Sequence, residues 1–440
     1  MRAASLRMWT NGAFWRLKLP CDVCSLFIYL LIIFYMKKNL IFGLTIVSAL
    51  LTACSNDETV DVALEKNISF RTVVDNTTRA NVATAATLNA FKVTALNVDG
   101  VYFTTDVNLS EGNWVSQGTY FWPSYSLKFF AYANGPADDT EGMVNIGKAT
   151  QGQGFVHTIT GFTPKQKLEE QKDLLVAYNE GEKSAFVGGT VPLNFRHALA
   201  QIEVNAKNAK PSSVRVEVVG IKLVNLGTKA DLALPSSTTA DRVVADPAAN
   251  TNKTLALDSW TGLQGKDTPA TAYYKNKAAS DNVLILTDQF QSIMFGADRF
   301  MVIPQALTPW DGSTSTTGAY LAVLCRISNK SGDNYSVIYP QPKAADNGAV
   351  KYAYAAIPIG KDSSKDSSLL PGKKYVYNLV FCADGGGGAG EIDPNPNNPG
   401  GGTDTDEEPG TGGEEILNGE IKYTVTVDDF VPVEPISVDL

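Results

Sequence analysis

The sequence contains few of the residues that enzymes and metal proteins use for chemistry. Its 440 residues include two histidines and five cysteines. His157 and His197 have no nucleophile motif, H-E-x-x-H pattern or cysteine cluster beside them. Cys21 and Cys24 form a single C-x-x-C with no second pair and no histidine nearby. The sequence therefore predicts no enzyme, no metal site and no cofactor.

Positive charge is also in deficit. Lysine and arginine total 37 against 46 aspartates and glutamates, which gives a net charge of −9 and a pI near 5.0. A chain of this charge lacks the electrostatic attraction that draws proteins to nucleic acid or to anionic lipid. We therefore expect neither partner.

Helical periodicity is scarce along the chain, and β signals replace it. Segments of four to eight residues rich in Val, Ile, Tyr, Phe and Thr alternate with clusters of Gly, Asn, Asp, Ser and Pro. This pattern predicts an all-β protein built from β-sandwiches. Cys325 and Cys382 each lie in an apolar strand-like run, which favours buried free thiols over a disulfide.

A rough internal repeat predicts two sandwich domains. ISFRTVV (68–74) precedes a strand with the sequence FKVTAL, and LAQIEVNAK (199–207) precedes VRVEVVGIKL in the same way. We place the N-terminal sandwich at 80–187 and the C-terminal sandwich at 188–383, with the boundary at Gly188-Gly189.

A secretory signal precedes these domains. Residues 36–53, MKKNLIFGLTIVSALLTA, combine two lysines, an apolar run too short to span a bilayer and a small-residue end. Cys54 follows at once, and the pattern resembles a bacterial lipoprotein signal that is cleaved between Ala53 and Cys54 and acylated on the Cys54 thiol. The alternative is a plain secreted protein with an incidental cysteine.

Residues 1–35 lie upstream of this signal and carry a second apolar run. We interpret them as a mis-called upstream extension, with translation beginning at Met36 and not at Met1. An unusually long leader is the alternative, and we assign these residues no function.

The composition changes sharply after the second predicted sandwich. Residues 384–420 are rich in Gly, Asp and Glu and cannot bury a core, so we expect a flexible acidic linker. Residues 421–440 then begin with a strand that has one apolar face, formed by Ile421, Tyr423, Val425 and Val427. An isolated strand is not stable, so this one must join a sheet.

These features together resemble the fimbrillin family, the lipoprotein-derived pilins of type V pili in Bacteroidetes. The resemblance covers most of residues 36–440. It rests on the lipoprotein signal and on the stretches ISFRT…TTRA, YFWPSYSLKFFAYAN (120–134), DLLVAYN (173–179) and VPLNFRHALAQIEVNAK (191–207). The long glycine-rich linker before the terminal strand departs from the family pattern.

The resemblance implies two transthyretin-like β-sandwich domains and a fimbrial function. It implies export to the outer membrane as a surface lipoprotein and trimming of the lipidated segment 54–79 by an arginine-specific protease. Arg79-Ala80 best matches the cleavage position, and Arg71 is the alternative. The resemblance also implies that the trimmed subunit assembles with other fimbrial subunits by strand exchange. It further implies adhesion to a host or bacterial surface ligand.

The residues themselves suggest how strand exchange would work. Ile68, Phe70, Thr72 and Val74 share one face of ISFRTVV, much as the four apolar residues of 421–427 do, so the two segments could compete for one groove. The linker has a coil span of roughly 30–35 Å, which reaches a neighbour but also allows the strand to fold back. The terminal strand is therefore either donated or self-complementing.

A second function remains open, that of a surface glycan-binding β-sandwich lipoprotein. In YFWPSY, Phe121, Trp122 and Tyr125 could form a platform for sugar stacking, although core packing is the simpler expectation. Protease-dependent assembly would distinguish a fimbrial subunit from a monomeric glycan-binding lipoprotein.

Overall fold

The structure is a computed structural model of the whole chain. It describes residues 5–10, 13–18, 67–74, 88–135, 143–149, 155–235, 255, 257–267, 273–279, 282–310, 317–340, 352–383, 390–392, 415–416 and 421–429.

The chain divides into two compact units, Met1–Asn67 and Ile68–Leu440. The described part of the first unit is an antiparallel hairpin of β1 (Ser5–Thr10) and β2 (Ala13–Lys18). These strands lie in the predicted upstream extension. The interpretation of residues 1–35 stays a prediction.

The first half of the second unit contains nine described strands. They are β3 (Ser69–Val74), β4 (Ala90–Asn97), β5 (Gly100–Ser110), β6 (Asn113–Ser116), β7 (Leu127–Ala133), β8 (Val144–Ala149), β9 (Phe155–Phe162), β10 (Leu175–Gly181) and β11 (Thr190–His197).

The second half contains the remaining described strands. They are β12 (Ala200–Asn208), β13 (Val214–Val224), β14 (Lys229–Ala233), β15 (Trp260–Gln264), β16 (Tyr273–Lys277), β17 (Leu284–Ile285), β18 (Gln291–Ser292), β19 (Phe300–Val302), β20 (Gln305–Ala306), β21 (Tyr320–Ser331), β22 (Asn334–Tyr339), β23 (Ala353–Pro358), β24 (Ser368–Leu369), β25 (Lys373–Phe381), β26 (Gly390–Ile392), β27 (Glu415–Ile416) and β28 (Lys422–Asp429).

Helical structure is minimal in the described segments. It consists of four three-residue 3-10 turns, Leu168–Glu170, Lys183–Ala185, Val187–Gly189 and Leu257–Ser259. The prediction of an all-β protein is confirmed.

The N-terminal half is organised around a seven-stranded sheet of order β3-β11-β10-β7-β4-β5-β6. Successive residues of a strand point to opposite faces, and in β7 both Phe129 and Phe130 are buried. Phe129 joins one core with Phe91 and Phe195, whereas Phe130 joins another. That second core includes Ile159 and residues of the four-stranded sheet β15-β14-β9-β8.

The C-terminal half is a sandwich of two larger sheets. One has the order β18-β12-β25-β28 with β19 also on β12, and the other has the order β16-β13-β21-β23-β26-β27 with β17 and β22 attached. Their inner faces share one core, to which Val204 and Tyr377 contribute from the first sheet and Val216 and Val323 from the second. Prediction of β-sandwich architecture is confirmed.

Strands from both sides of Gly188 share sheets. β11 follows this residue and pairs with β10, and β14 pairs with β9 in the same way. The division of 80–187 from 188–383 therefore does not coincide with a division between sheets, because β pairing is non-local and a sequence repeat does not report it. The two-domain division stays a prediction.

Two short described strands lie within residues 384–420, the predicted flexible linker, and the linker assignment stays a prediction. β26 pairs with β23, and β27 pairs with β26. The composition predicted a segment unable to bury a core, but pairing at a sheet edge uses backbone hydrogen bonds and needs no apolar side chains. The rest of the linker lies outside the described residues.

Candidate functional site: two edge strands

β3 occupies one edge of the seven-stranded sheet. It pairs in parallel with β11 from Ser69↔Thr190 to Val74↔Phe195. The Ser69 and Thr190 hydroxyls form a hydrogen bond of 2.7 Å. β11 pairs with β10 at only two positions, Leu175↔His197 and Val176↔Arg196. Among the described strands, β3 and not β10 therefore pairs with β11 over residues 190–195.

The side chains of β3 and of Ile68, the residue before it, alternate as the sequence predicts. Ile68 and Phe70 are buried in the core of this sheet, and Arg71 is exposed. The Phe70 ring packs edge-on against Phe91 and Phe129, with ring centroids 6.1 and 6.0 Å apart. The Ile68 amide also donates a hydrogen bond to the Tyr120 carbonyl at 2.8 Å. β3 is thus an integral part of the core and also an edge strand.

β28 occupies an edge of the sheet that contains β25. The two strands pair antiparallel from Lys373↔Asp429 to Val380↔Lys422. Ile421 and Val425 are 4% and 3% exposed and join the C-terminal core, whereas Val427 is 37% exposed. The one-sided pattern is thus confirmed at Ile421 and Val425, and Val427 lies largely outside the core.

Tyr423 packs on the inner face of β28. It packs against the core, with its ring centroid 5.7 Å from that of Tyr377. Its hydroxyl donates to Asp366 Oδ2 at 3.3 Å, and this buried carboxylate also accepts from the Gly360 amide. Burial raises the pKa of Tyr423, and the negative charge of Asp366 adds to the shift, so the tyrosine keeps its proton. Sequence analysis missed Asp366 because it lies in a polar loop far from β28 along the chain.

The two candidate strands lie on different sheets of this chain. ISFRTVV pairs with β11, and 421–429 pairs with β25. Within one chain they therefore do not compete for one groove. Their similar patterns reflect the common requirement of an edge strand, which buries one face and exposes the other. The role of Ile421, Tyr423, Val425 and Val427 as a donor strand stays a prediction.

The aromatic residues of YFWPSY have separate roles. Trp122 packs against Phe129 and Phe186 and donates from Nε1 to the Gly189 carbonyl at 2.9 Å. Phe121 and Tyr125 are 52% and 42% exposed. Core packing is therefore confirmed for Trp122 but wrong for Phe121 and Tyr125.

Phe121 and Tyr125 both contact Tyr102, Phe121 through its backbone and Tyr125 through its ring. The Tyr102 hydroxyl donates to the Phe121 carbonyl at 3.0 Å, and the Tyr102 and Tyr125 rings meet edge-on at 6.4 Å. Asn97 donates to the Tyr125 hydroxyl at 3.2 Å. Phe121, Tyr125 and Tyr102 thus form an exposed aromatic cluster held by hydrogen bonds.

Both histidines lie in packed surroundings. His197 ends β11 and is buried, with Nδ1 2.6 Å from Asp173 Oδ2. The His157 ring stacks on Phe130 with centroids 4.9 Å apart. These contacts agree with a structural role for His197, which tethers the end of β11 to the Asp173 loop.

The prediction of buried free thiols is confirmed for Cys325 and Cys382. Burial raises the pKa of the Cys382 thiol from 9.0 to about 11. Burial also raises the pKa of Cys325 well above its ordinary value, and the nearby Cys382 adds to the shift. Both thiols are protonated at neutral pH and are therefore poor nucleophiles.

Several sequence-predicted sites lie outside the described residues. These are the signal cleavage pair Ala53 and Cys54, the lipidation site Cys54 and the processing pair Arg79 and Ala80. Over the segments that the structure describes, no helix is long and apolar enough to cross a membrane. Nor does any group of three or more His, Cys, Asp or Glu side chains in those segments form an arrangement that could hold a metal ion.

The fold defines a β-sandwich protein in which the two candidate strands lie at sheet edges. The model of the family described as fimbrillin-like matches residues 72–394. The chain belongs to the fimbrillin-like family. This membership supports a role as a subunit of a cell-surface fimbria that assembles with other fimbrial subunits.

Solved structures of two bacterial proteins illustrate the similarity. A fimbrial protein from Bacteroides vulgatus ATCC 8482 is 15% identical, with a TM-score of 0.43 over 83% of this chain and 100% of that one. A fimbrilin from Porphyromonas gingivalis W83 is 12% identical, with a TM-score of 0.39 over 84% and 98% of the two chains. No protein with a curated description matches the chain.

Proposed function

We propose that this chain is a structural or tip subunit of a type V-like fimbria that is activated by proteolysis and assembles by strand exchange. In this scheme Cys54 is acylated after cleavage at Ala53-Cys54, and the lipid holds the precursor at the outer membrane. An arginine-specific protease then cuts between Arg79 and Ala80. The role is structural and adhesive, and no catalytic step is involved.

The observation that carries the proposal is the position of β3. This strand lies between Cys54 and Arg79 in sequence, and it pairs with β11 across residues 190–195. While the chain is intact, β3 has an effective concentration of millimolar order beside β11. A cut after Arg79 removes the covalent link, so β3 can dissociate with the lipidated segment.

Loss of β3 would convert β11 into an acceptor edge. Ile68 and Phe70 would leave the core, and the backbone of β11 would lose its partner along that edge. Such an edge binds an extended strand by β-augmentation. The strand 421–429 of a neighbouring subunit carries the matching alternation, and it fits the acceptor as a donor strand.

The experiment uses Arg79→Ala and Arg79→Lys in the full-length chain, with Arg71→Lys as the matched control. We expect both Arg79 variants to retain the lipid and remain monomeric on unboiled gels, because an arginine-specific protease should not cut at either side chain. The Arg71→Lys chain should form protease-resistant, high-mass ladders. Ladders from either Arg79 variant would overturn the proposal.

The exposed aromatic cluster favours a second candidate function, glycan binding. Tyr102, Phe121 and Tyr125 are exposed, and hydrogen bonds hold the hydroxyls of Tyr102 and Tyr125. Exposed apolar clusters mark interaction sites. The test compares Phe121→Ala/Tyr125→Ala with the unsubstituted chain for retention on immobilised polysaccharides. Loss of retention with unchanged assembly would support glycan binding, and absence of retention in both proteins would contradict it.

A further inference from the structure

The apolar pattern of β28 does not by itself determine how this strand aligns with β25. Side chains alternate between the two faces of a strand, so a slip of two residues returns the same alternation to the same face. β28 and the residue before it have apolar or aromatic side chains at 421, 423, 425 and 427. A strand slipped by two residues would still present such side chains to the core.

The observed register places two acidic residues opposite two lysines. Asp429 lies opposite Lys373, and Asp428 lies opposite Lys374. Directly opposite residues of antiparallel strands share a face, and opposite charges there stabilise the pair. A slip of two residues in one direction would move Asp429 opposite Tyr375, which is buried. In the other direction Asp428 would move opposite Gly372.

Lys374 belongs to a row of charges that crosses the sheet. Its Nζ lies 2.6 Å from Glu203 Oε2, and Arg299 Nη2 lies 3.0 Å from Glu203 Oε1. All three side chains are largely buried, and together they carry one net positive charge. Charges removed from water are stabilised by neighbours of opposite sign. The next strand in the row is β28, and its residue opposite Lys374 is Asp428.

We propose that the edge of β25 is a selective strand-binding site, in which Lys373 and Lys374 recognise the acidic pair Asp428-Asp429 and thereby fix the direction and register of the bound strand. The partner it fits is an antiparallel strand of alternating apolar residues that ends in two acidic residues. Residues 421–429 of this chain meet that description. A parallel strand would carry the acids to the opposite end of β25. The inference concerns the C-terminal sheet and does not rest on the proposed function.

A competing explanation is that Tyr423 fixes the register through its contact with Asp366. The hydroxyl-to-carboxylate distance of 3.3 Å is long for such a hydrogen bond. The two explanations differ in which variant should allow β28 to slip along β25. Neutralising the acids should release the register if charge fixes it, and Tyr423→Phe should release it if the hydroxyl does.

The experiment traps the register in the full-length chain with cysteine pairs on the exposed face. Val376 and Thr426 are directly opposite each other, so Val376→Cys/Thr426→Cys reports the native register after mild copper-catalysed air oxidation. Val376→Cys/Thr424→Cys reports the slip that moves Asp428 opposite Gly372, and Asn378→Cys/Thr426→Cys reports the slip in the other direction. Cross-linked peptides are quantified by mass spectrometry in three further backgrounds, Asp428→Asn/Asp429→Asn, Tyr423→Phe and Glu434→Gln/Asp439→Asn. The last neutralises two acids beyond the strand and serves as the matched control.

We expect the slipped cross-link to increase about 2- to 25-fold relative to the native one in Asp428→Asn/Asp429→Asn, since each opposite-charge pair favours its register by roughly 1.4- to 5-fold. The control and Tyr423→Phe should leave the ratio unchanged. An unchanged ratio in the double acid variant would overturn the proposal, as would an equal increase in the control.

Charge reversal gives an independent measurement. Lys373→Glu and Asp429→Lys should each reduce the yield of the native cross-link, because each places like charges opposite each other. Combining them should restore the yield to within about twofold of the unsubstituted chain, because the pair is re-formed with its signs exchanged. Reductions that simply add in the double variant would contradict recognition between these two positions.

Discussion

Removal of residues 421–440 should destabilise the untrimmed protein markedly. The deletion takes away β28 together with Ile421, and it leaves β25 without the strand that pairs with it at residues 373–380. The core that Ile421 and Val425 fill would then open to water on that side.

The size of the effect follows from the buried side chains. Ile421 and Val425 are almost completely buried, and burial of an aliphatic side chain contributes about 1.5–3 kcal/mol, so their loss should lower the free energy of unfolding by about 3–6 kcal/mol. If about 370 residues unfold together, the entropy of unfolding is roughly 0.8 kcal/mol per kelvin near 60 °C. The Tm should therefore fall by about 4–8 °C.

The assay is thermal unfolding of purified, untrimmed protein with and without residues 421–440. Deletion of 430–440 alone is the matched control, because it shortens the tail and keeps β28. We expect the control to unfold within about 1 °C of the full-length chain. A Tm that is equally unaffected by the longer deletion would refute the packing of β28 on its own sheet.

This result also bears on donation of the strand. If β28 leaves β25 to enter a neighbour, its own sheet loses about 3–6 kcal/mol. Donation is favourable only if pairing with the acceptor edge that trimming opens at β11 stabilises the assembly by more than this loss. Donation therefore requires that β3 has left, which links assembly to proteolysis.

Three further predictions concern single side chains. Phe70→Ala should lower the free energy of unfolding of the untrimmed protein by about 3–5 kcal/mol, whereas the exposed Arg71→Ala should change it by less than about 0.5 kcal/mol in chemical denaturation. Cys54→Ala should abolish incorporation of a fatty-acid probe, and label that persists on the variant would exclude this residue as the lipidation site. Because burial raises the pKa of Cys382 from 9.0 to about 11, the unfolded chain ionises first and stability should decline as pH rises from about 9 towards 11. Cys382→Ala should make that decline less steep, with buried Cys325 accounting for part of what remains, and an unchanged profile would contradict the assignment.

The sequence predicted those features that depend on local pattern. Alternation of apolar residues identified β3 and β28 and their buried faces, because a strand at a sheet edge has one face in the core. Short apolar runs also placed Cys325 and Cys382 inside the protein. These predictions need no knowledge of which strands are neighbours.

Features that depend on non-local pairing could not be obtained in this way. Alternation in β3 and β28 does not reveal that one pairs in parallel with β11 and the other antiparallel with β25. The aromatic run 120–125 divides between core and surface because Trp122 packs against Phe186 and donates a hydrogen bond to Gly189, which are both distant in sequence. The contacts of Asp366, and the row of charges from Arg299 to Lys374, join segments that are distant in sequence. They can be identified only once the pairing of the strands is known.

The central claim is that trimming at Arg79 removes β3 and prepares β11 for a neighbour's strand. N-terminal sequencing of the protein from assembled surface fimbriae tests it most directly. The account predicts Ala80 as the first residue and no fatty acid on the subunit. A mature chain that begins at acylated Cys54, with β3 still attached in the assembled fibre, would contradict it.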